Sequence, residues 1–68
     1  MRKRISVDRL KKLPEGTDVY YVEESTGRAA RMWIGKTYKG RKLLKGIFSE
    51  RWLSEVTEQH GWHFEIDR

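Results

Sequence analysis

The sequence predicts one small α+β domain with the element order α-β-β-β-α-β. Three observations predict it: apolar residues at helical spacing after Ser6 and after Ser49, two echoing glycine turns between them, and strict apolar–polar alternation at the end. The 68 residues are too few for two independent cores. Residues 1–68 are therefore read as a single domain, with residues 1–5 as a flexible basic arm.

Ser6 is a good N-cap, and Val7, Leu10 and Leu13 follow at helical spacing. Ile5 and Leu10 occupy the two positions of a hydrophobic staple. Asp8 in the first turn and Lys11 and Lys12 in the last complement the helix dipole. Pro14 disfavours a helical Leu13, so a short helix is expected over 7–13, with Leu13-Pro14-Glu15-Gly16 as a turn.

Glu24-Ser25-Thr26-Gly27-Arg28 and Thr37-Tyr38-Lys39-Gly40-Arg41 share one shape: turn residues, a glycine, then a base. That is the chemistry of a three-residue hairpin loop with glycine in the left-handed position. It predicts an antiparallel meander of residues 18–24, 28–37 and 41–48, with Glu24 facing Arg28 and Thr37 facing Arg41. One sheet face then collects Tyr20, Val22, Ala30, Met32, Ile34, Leu44 and Phe48. The other collects Val19, Tyr21, Arg31, Trp33, Arg41, Leu43, Lys45 and Ile47. A two-residue Lys39-Gly40 loop would instead set Lys45 beside Met32 and Ile34, which separates core from surface less well.

Ser49 is read as the cap of a second helix over residues 50–60, with Trp52, Leu53 and Val56 as its apolar stripe. Phe48 and Leu53 form its staple, and Gly61 suits the left-handed position that ends it. This helix is expected to pack on the Tyr20/Met32/Phe48 face. Trp62, Phe64 and Ile66 alternate with His63, Glu65 and Asp67 as a half-buried terminal strand.

Composition narrows the function. Hydrophobic and charged residues each make up 37% of the chain, so little apolar area is available for burial and stability is marginal. Cysteine is absent, which excludes disulfides and thiolate metal sites and points to the cytoplasm or nucleoid. No apolar run follows Met1-Arg2-Lys3-Arg4, so a signal peptide is not expected, and no stretch is long enough to cross a bilayer.

The net charge of +5 is segregated. Residues 1–13 and 28–46 are basic, the second block holding Arg28, Arg31, Lys36, Lys39, Arg41, Lys42 and Lys45 with no acid at all. Residues 14–27 and 47–68 are acidic. Such blocks create an oriented electrostatic face.

The candidate nucleic-acid-binding residues are Tyr21, Arg28, Arg31, Trp33, Lys36, Lys39, Arg41, Lys42 and Lys45. Cations neutralise phosphates and release counterions, arginine pairs with guanine in the major groove, and aromatic rings stack on unpaired bases. The plainer reading makes Trp33 a core residue under the first helix and the cations its solvated rim. The block Arg2, Lys3, Arg4, Arg9, Lys11 and Lys12 reads either as an arm along a phosphate backbone or as a frayed terminus. His60 and His63 lack a metal-ligand spacing, and no nucleophile elbow or phosphate loop is present, so neither a metal, a cofactor nor catalysis is expected.

The Tyr20-Tyr21 pair, Thr26-Gly27-Arg28 and the basic second hairpin resemble two DNA-binding architectures. One is the arm-binding domain of phage-type tyrosine integrases, and the other is the plant ethylene-response-type domain. The resemblance spans Val19–Thr57 and implies a helix-backed three-stranded sheet laid in the major groove. The expectation is therefore a non-enzymatic nucleic-acid-binding domain, regulatory or architectural, with DNA favoured over RNA. The competing expectation is a protein-interaction module, an inhibitor or adaptor, burying Trp33, Leu43 and Ile47 against a partner or a second copy.

Overall fold

The two glycine turns organise the middle of the chain as a meander, and strands before and after it widen the sheet on both sides. The computed structural model describes residues 1–67. In chain order it comprises β1 (Arg2–Ile5), the one-turn helix α1 (Val7–Leu10), β2 (Asp18–Glu23), β3 (Ala29–Ile34), β4 (Leu43–Gly46), β5 (Glu50–Trp52), a 3-10 turn (Leu53–Glu55) and β6 (Trp62–Asp67). The strands form one antiparallel sheet in the spatial order β1-β6-β2-β3-β4-β5.

The expected α+β class is therefore overturned, because no helix packs on the sheet from residues 50–60. Glu50–Trp52 instead pairs with β4, setting Trp52 opposite Leu43 and Glu50 opposite Lys45. The Leu53 amide donates to the Lys42 carbonyl, and Val56 is already extended at φ −73°, ψ 130°. Two physical effects outweigh the helical pattern. The β-branched pair Val56-Thr57 loses side-chain freedom in a helix, and a helix here would leave β4 as an unpaired edge. Leu53 and Val56 still reach the core, from a single 3-10 turn. Without a backing helix, the likeness to the two helix-backed DNA-binding architectures no longer holds.

Ser6 caps α1 as expected, its hydroxyl accepting from the Arg9 amide at 3.1 Å. The helix is shorter than residues 7–13, since Lys12 and Leu13 close with i→i+3 bonds to Arg9 and Leu10 before Pro14. The segment read as a free basic arm is in fact the edge strand β1, with Arg2 opposite Asp67 and Ile5 opposite Phe64.

The first hairpin differs from expectation by one residue. Glu23, not Glu24, lies opposite Arg28, and the loop is closed by the Gly27 amide on the Glu23 carbonyl, with Gly27 at φ +74°. A one-residue shift turns β2 over relative to β3. Val19 now faces Met32 and Tyr21 faces Ala30, while Tyr20 faces Arg31.

In the second hairpin the expected strand register holds, with Ile34 opposite Leu44 and Trp33 opposite Lys45. Its tip does not match, being the two-residue loop Lys39-Gly40, at φ +51° and +76°, closed by Tyr38 and Arg41. Lys36 and Thr37 stand against Lys42 alone between that tip and the Gly35–Leu43 hydrogen bond, a bulge that restores the register. Glu15 holds the bulge: its carboxylate accepts from both the Thr37 amide and hydroxyl at 2.7 Å. Those two donors lower the Glu15 pKa, the hydroxyl contributing most.

The core cluster gathers on one face, while Val22, also buried, lies opposite Ala29 and His63 on the other. Val19, Ile34, Leu44, Phe64 and Ile66 point to the core face from the sheet, and Leu10, Leu53 and Val56 cover them. Phe48, expected in the core, is 98% exposed, because Ile47 and Phe48 form the tip of the β4–β5 turn closed by the Gly46 amide on the Ser49 carbonyl. The opposite face carries Tyr20, Arg31, Trp33, Leu43, Lys45 and Trp52, together with His63 and Glu65.

Candidate nucleic-acid interface

The β3–β4 hairpin and the end of α1 meet at one end of the sheet, and this brings the two basic blocks together. The Lys42 ammonium donates to the Leu13 carbonyl at 2.8 Å. Lys11 and Arg41, from different blocks, both reach Ser54, at its carbonyl and its hydroxyl. Lys11, Lys12, Lys36, Lys39, Arg41 and Lys42 thus share one end with the acids Glu15 and Glu55. Glu55 faces Arg41 at 3.7 Å.

Aromatic rings border this basic end. Tyr38 and Trp52 have centroids 6.4 Å apart and planes 24° from parallel. The Arg41 guanidinium lies 4.2 Å over the Trp52 ring, and the Lys39 ammonium lies 5.4 Å from that of Tyr38. Further along the open face, Trp33 is half-buried beside Lys45. The methylenes of Lys45 lie against Gly35, where an added Cβ would come within 3.0 Å of them. A side chain at Gly35 would therefore displace Lys45 from beside Trp33.

Cations on the open face have acidic partners. Arg31 meets Asp18 at 3.1 Å, Lys45 meets Glu50 at 3.8 Å, and Arg2 meets Glu65 at 3.6 Å. Exposed pairs of this kind contribute little and exchange readily for a phosphate, but they leave the face nearly neutral. The charge surplus belongs to the hairpin end.

The expected site residues therefore separate into groups. Lys36, Lys39, Arg41 and Lys42 stand together at the tip, and Arg31, Trp33 and Lys45 share the open face. Arg28 lies at the far end of β3, away from that tip. Tyr21 points to the core face, stacked on Trp62 at 4.6 Å and beside Phe64 at 4.8 Å. Lys11 and Lys12 belong to the N-terminal block read as a phosphate-contacting arm, but sequence reasoning did not place them beside the hairpin, nor Tyr38 or Trp52 in the site. Trp52 was assigned to a helix, and only its pairing with Leu43 brings it to this face.

Comparisons with family models, with characterised proteins and with solved structures return no match for this chain. Function rests on the geometry.

His63 sits between two carboxylates, Nδ1 at 2.8 Å from Glu24 and Nε2 at 2.6 Å from Glu65, with its side chain 14% exposed. Both nitrogens can donate only in the protonated ring. The Glu65 hydrogen bond raises the His63 pKa above its ordinary value, with help from Glu24 and against burial and the Arg4 charge. The carboxylates lie on opposite sides of the ring and do not converge on a point where an ion would sit. Among the described residues no group of three such ligands is positioned to hold a metal.

Because the folded state holds this proton more tightly, its stabilisation is complete below about pH 6.5 and is lost as pH rises through the folded-state value. The melting temperature is expected to fall between pH 6 and pH 9, and the fall to shrink in His63→Gln. Identical pH profiles for the two proteins would refute the assignment.

A second surface lies on the core side. A groove of about 630 Å³ is lined by Tyr21, Ala30, Met32, Phe48, Val56 and Phe64 among others, with the exposed Ile47 and Phe48 at its rim.

Proposed function

We propose that this protein is a non-enzymatic nucleic-acid-binding domain whose phosphate-contacting surface is the hairpin end. One observation carries the reading: the fold brings cations from two separate basic blocks to one end, beside the exposed Tyr38 ring and the half-buried Trp52. Lys11, Lys12, Lys36, Lys39, Arg41 and Lys42 supply the charge that releases counterions from a phosphate backbone. Tyr38, Trp52 and Trp33 supply stacking surfaces next to it. Arg28 and Tyr21 have no part in this site.

Anisotropy titration of labelled single-stranded DNA, duplex DNA and RNA at two salt concentrations tests the proposal. Micromolar or tighter binding that weakens steeply with salt is the expected result. No binding at low salt would overturn it.

The exposed Phe48 beside the apolar groove favours a second reading, a protein-interaction module. The Trp33/Leu43/Ile47 surface expected for that role is not continuous, since Ile47 leaves the strand in the β4–β5 turn. The groove replaces it as the candidate contact. A protein that fails the titration and sediments above its monomer mass supports this second reading.

A further inference from the structure

We propose that the interface accepts single-stranded nucleic acid, with unpaired bases stacked on the Tyr38–Arg41–Trp52 cluster and on Trp33. The inference rests on the nucleic-acid reading above and names the form of the ligand.

The first support is the geometry of the cluster. Tyr38 is 55% exposed, and its ring lies near-parallel to that of Trp52 across the strand end. Arg41 covers Trp52 while its side chain stays 49% exposed, and a guanidinium plane stacks on bases as a ring does. A groove of about 470 Å³ opens beside these rings, lined by Tyr38, Leu43, Glu50, Arg51, Trp52 and Glu55. Trp33 stands two strands away on the same face, on the order of 10 Å from Trp52.

The second support is how charge is divided. The acids of this groove are already paired, Glu50 with Lys45 at 3.8 Å and Glu55 with Arg41 at 3.7 Å, so the groove holds little free charge. A carboxylate there still accepts well from the exocyclic amino group of a base such as cytosine. Arg51 also lines the groove, but Lys12, Lys36 and Lys39, which make no ion pair among the described residues, lie together at the hairpin end. A ligand must therefore send backbone and bases to different places, charge to the tip and rings to the face. An unpaired strand does this freely. In a duplex the bases are already stacked on one another and their flat faces cannot reach Trp33 or Trp52.

The unaltered protein tests this with three labelled probes of equal length: a mixed-sequence single strand, the same sequence as a duplex, and an abasic single strand. The expected order is single strand tightest, by roughly tenfold over both others. Trp52→Ala should then weaken single-strand binding by roughly tenfold, while Trp52→Phe, which keeps a planar ring, stays within about threefold. Equal binding of the abasic strand, or a preference for duplex, overturns the inference and leaves the nucleic-acid reading intact. Equal losses in Trp52→Ala and Trp52→Phe, or no loss in either, overturn the stacking site. Failure of all three probes removes both proposals and returns attention to the apolar groove and a protein partner.

Discussion

Replacing Lys12, Lys36 and Lys39 together by glutamine is expected to weaken nucleic-acid binding on the order of 10- to 100-fold at low salt. It should also flatten the salt dependence, because each lost phosphate contact removes about 0.7 from the slope of log affinity against log salt for a single strand, roughly 2 in all. All three lysines are exposed, and none makes an ion pair among the described residues. Lys42 is excluded from the set because it ties the hairpin to Leu13, and Arg41 because it packs on Trp52. The melting temperature should change little, as for most surface substitutions. Arg28→Gln, at the other end of β3, is the control and should leave affinity and slope in place. An unchanged slope in the triple variant would remove the hairpin end from the site.

Leu44→Ala is expected to destabilise the fold by about 2–5 kcal/mol, while Phe48→Ala changes stability by less than about 0.5 kcal/mol. Leu44 is 2% exposed, lies opposite Ile34 and belongs to the cluster closed over by Leu10, Leu53 and Val56. Removing it leaves a cavity that neighbours on several elements cannot all fill. A chain this short has roughly 3–10 kcal/mol of total stability, so the loss is a large share. Each kcal/mol moves the melting point by about 4–8 °C in a domain of this size. Thermal melts of the two variants side by side therefore check the position of the core. Comparable losses in both would mean that Phe48 is buried, contrary to the structure.

The elements most legible in the sequence were those fixed by local chemistry. The Ser6 cap, the strand after Gly61 and the Ile34–Leu44 register follow from residues close together in the chain. Two features depended on distant partners and were not legible. Residues 50–56 carry a helical apolar stripe, but their conformation is decided by β4, which needs a strand beside it. Arg2–Ile5 has the composition of a loose arm, but it pairs with β6 from the other end of the chain. The register of β2 failed for a smaller reason, one extra residue in the Glu24–Gly27 loop, yet that residue moved Val19 and Tyr21 to the core face and Tyr20 away from it. For the candidate site, the basic hairpin could be read directly. Lys11 and Lys12 could be read as phosphate contacts too, but not that the fold brings them beside the hairpin, and Trp52 reaches the face only as a strand residue.

The separation of a charged tip from a nearly neutral sheet face also has a kinetic consequence. Long-range attraction acts on the tip, so a polyanion is drawn in end-on and the rate of encounter depends on ionic strength. In the proposed complex, with a strand lying on Trp33 and Trp52, what retains it would be short-range stacking, which salt screens very little. On the proposed reading, arrival and departure would thus be governed by different parts of the molecule. Added salt slows the first far more than it hastens the second, and substitutions at the tip and on the face should separate into changes of association rate and of residence time.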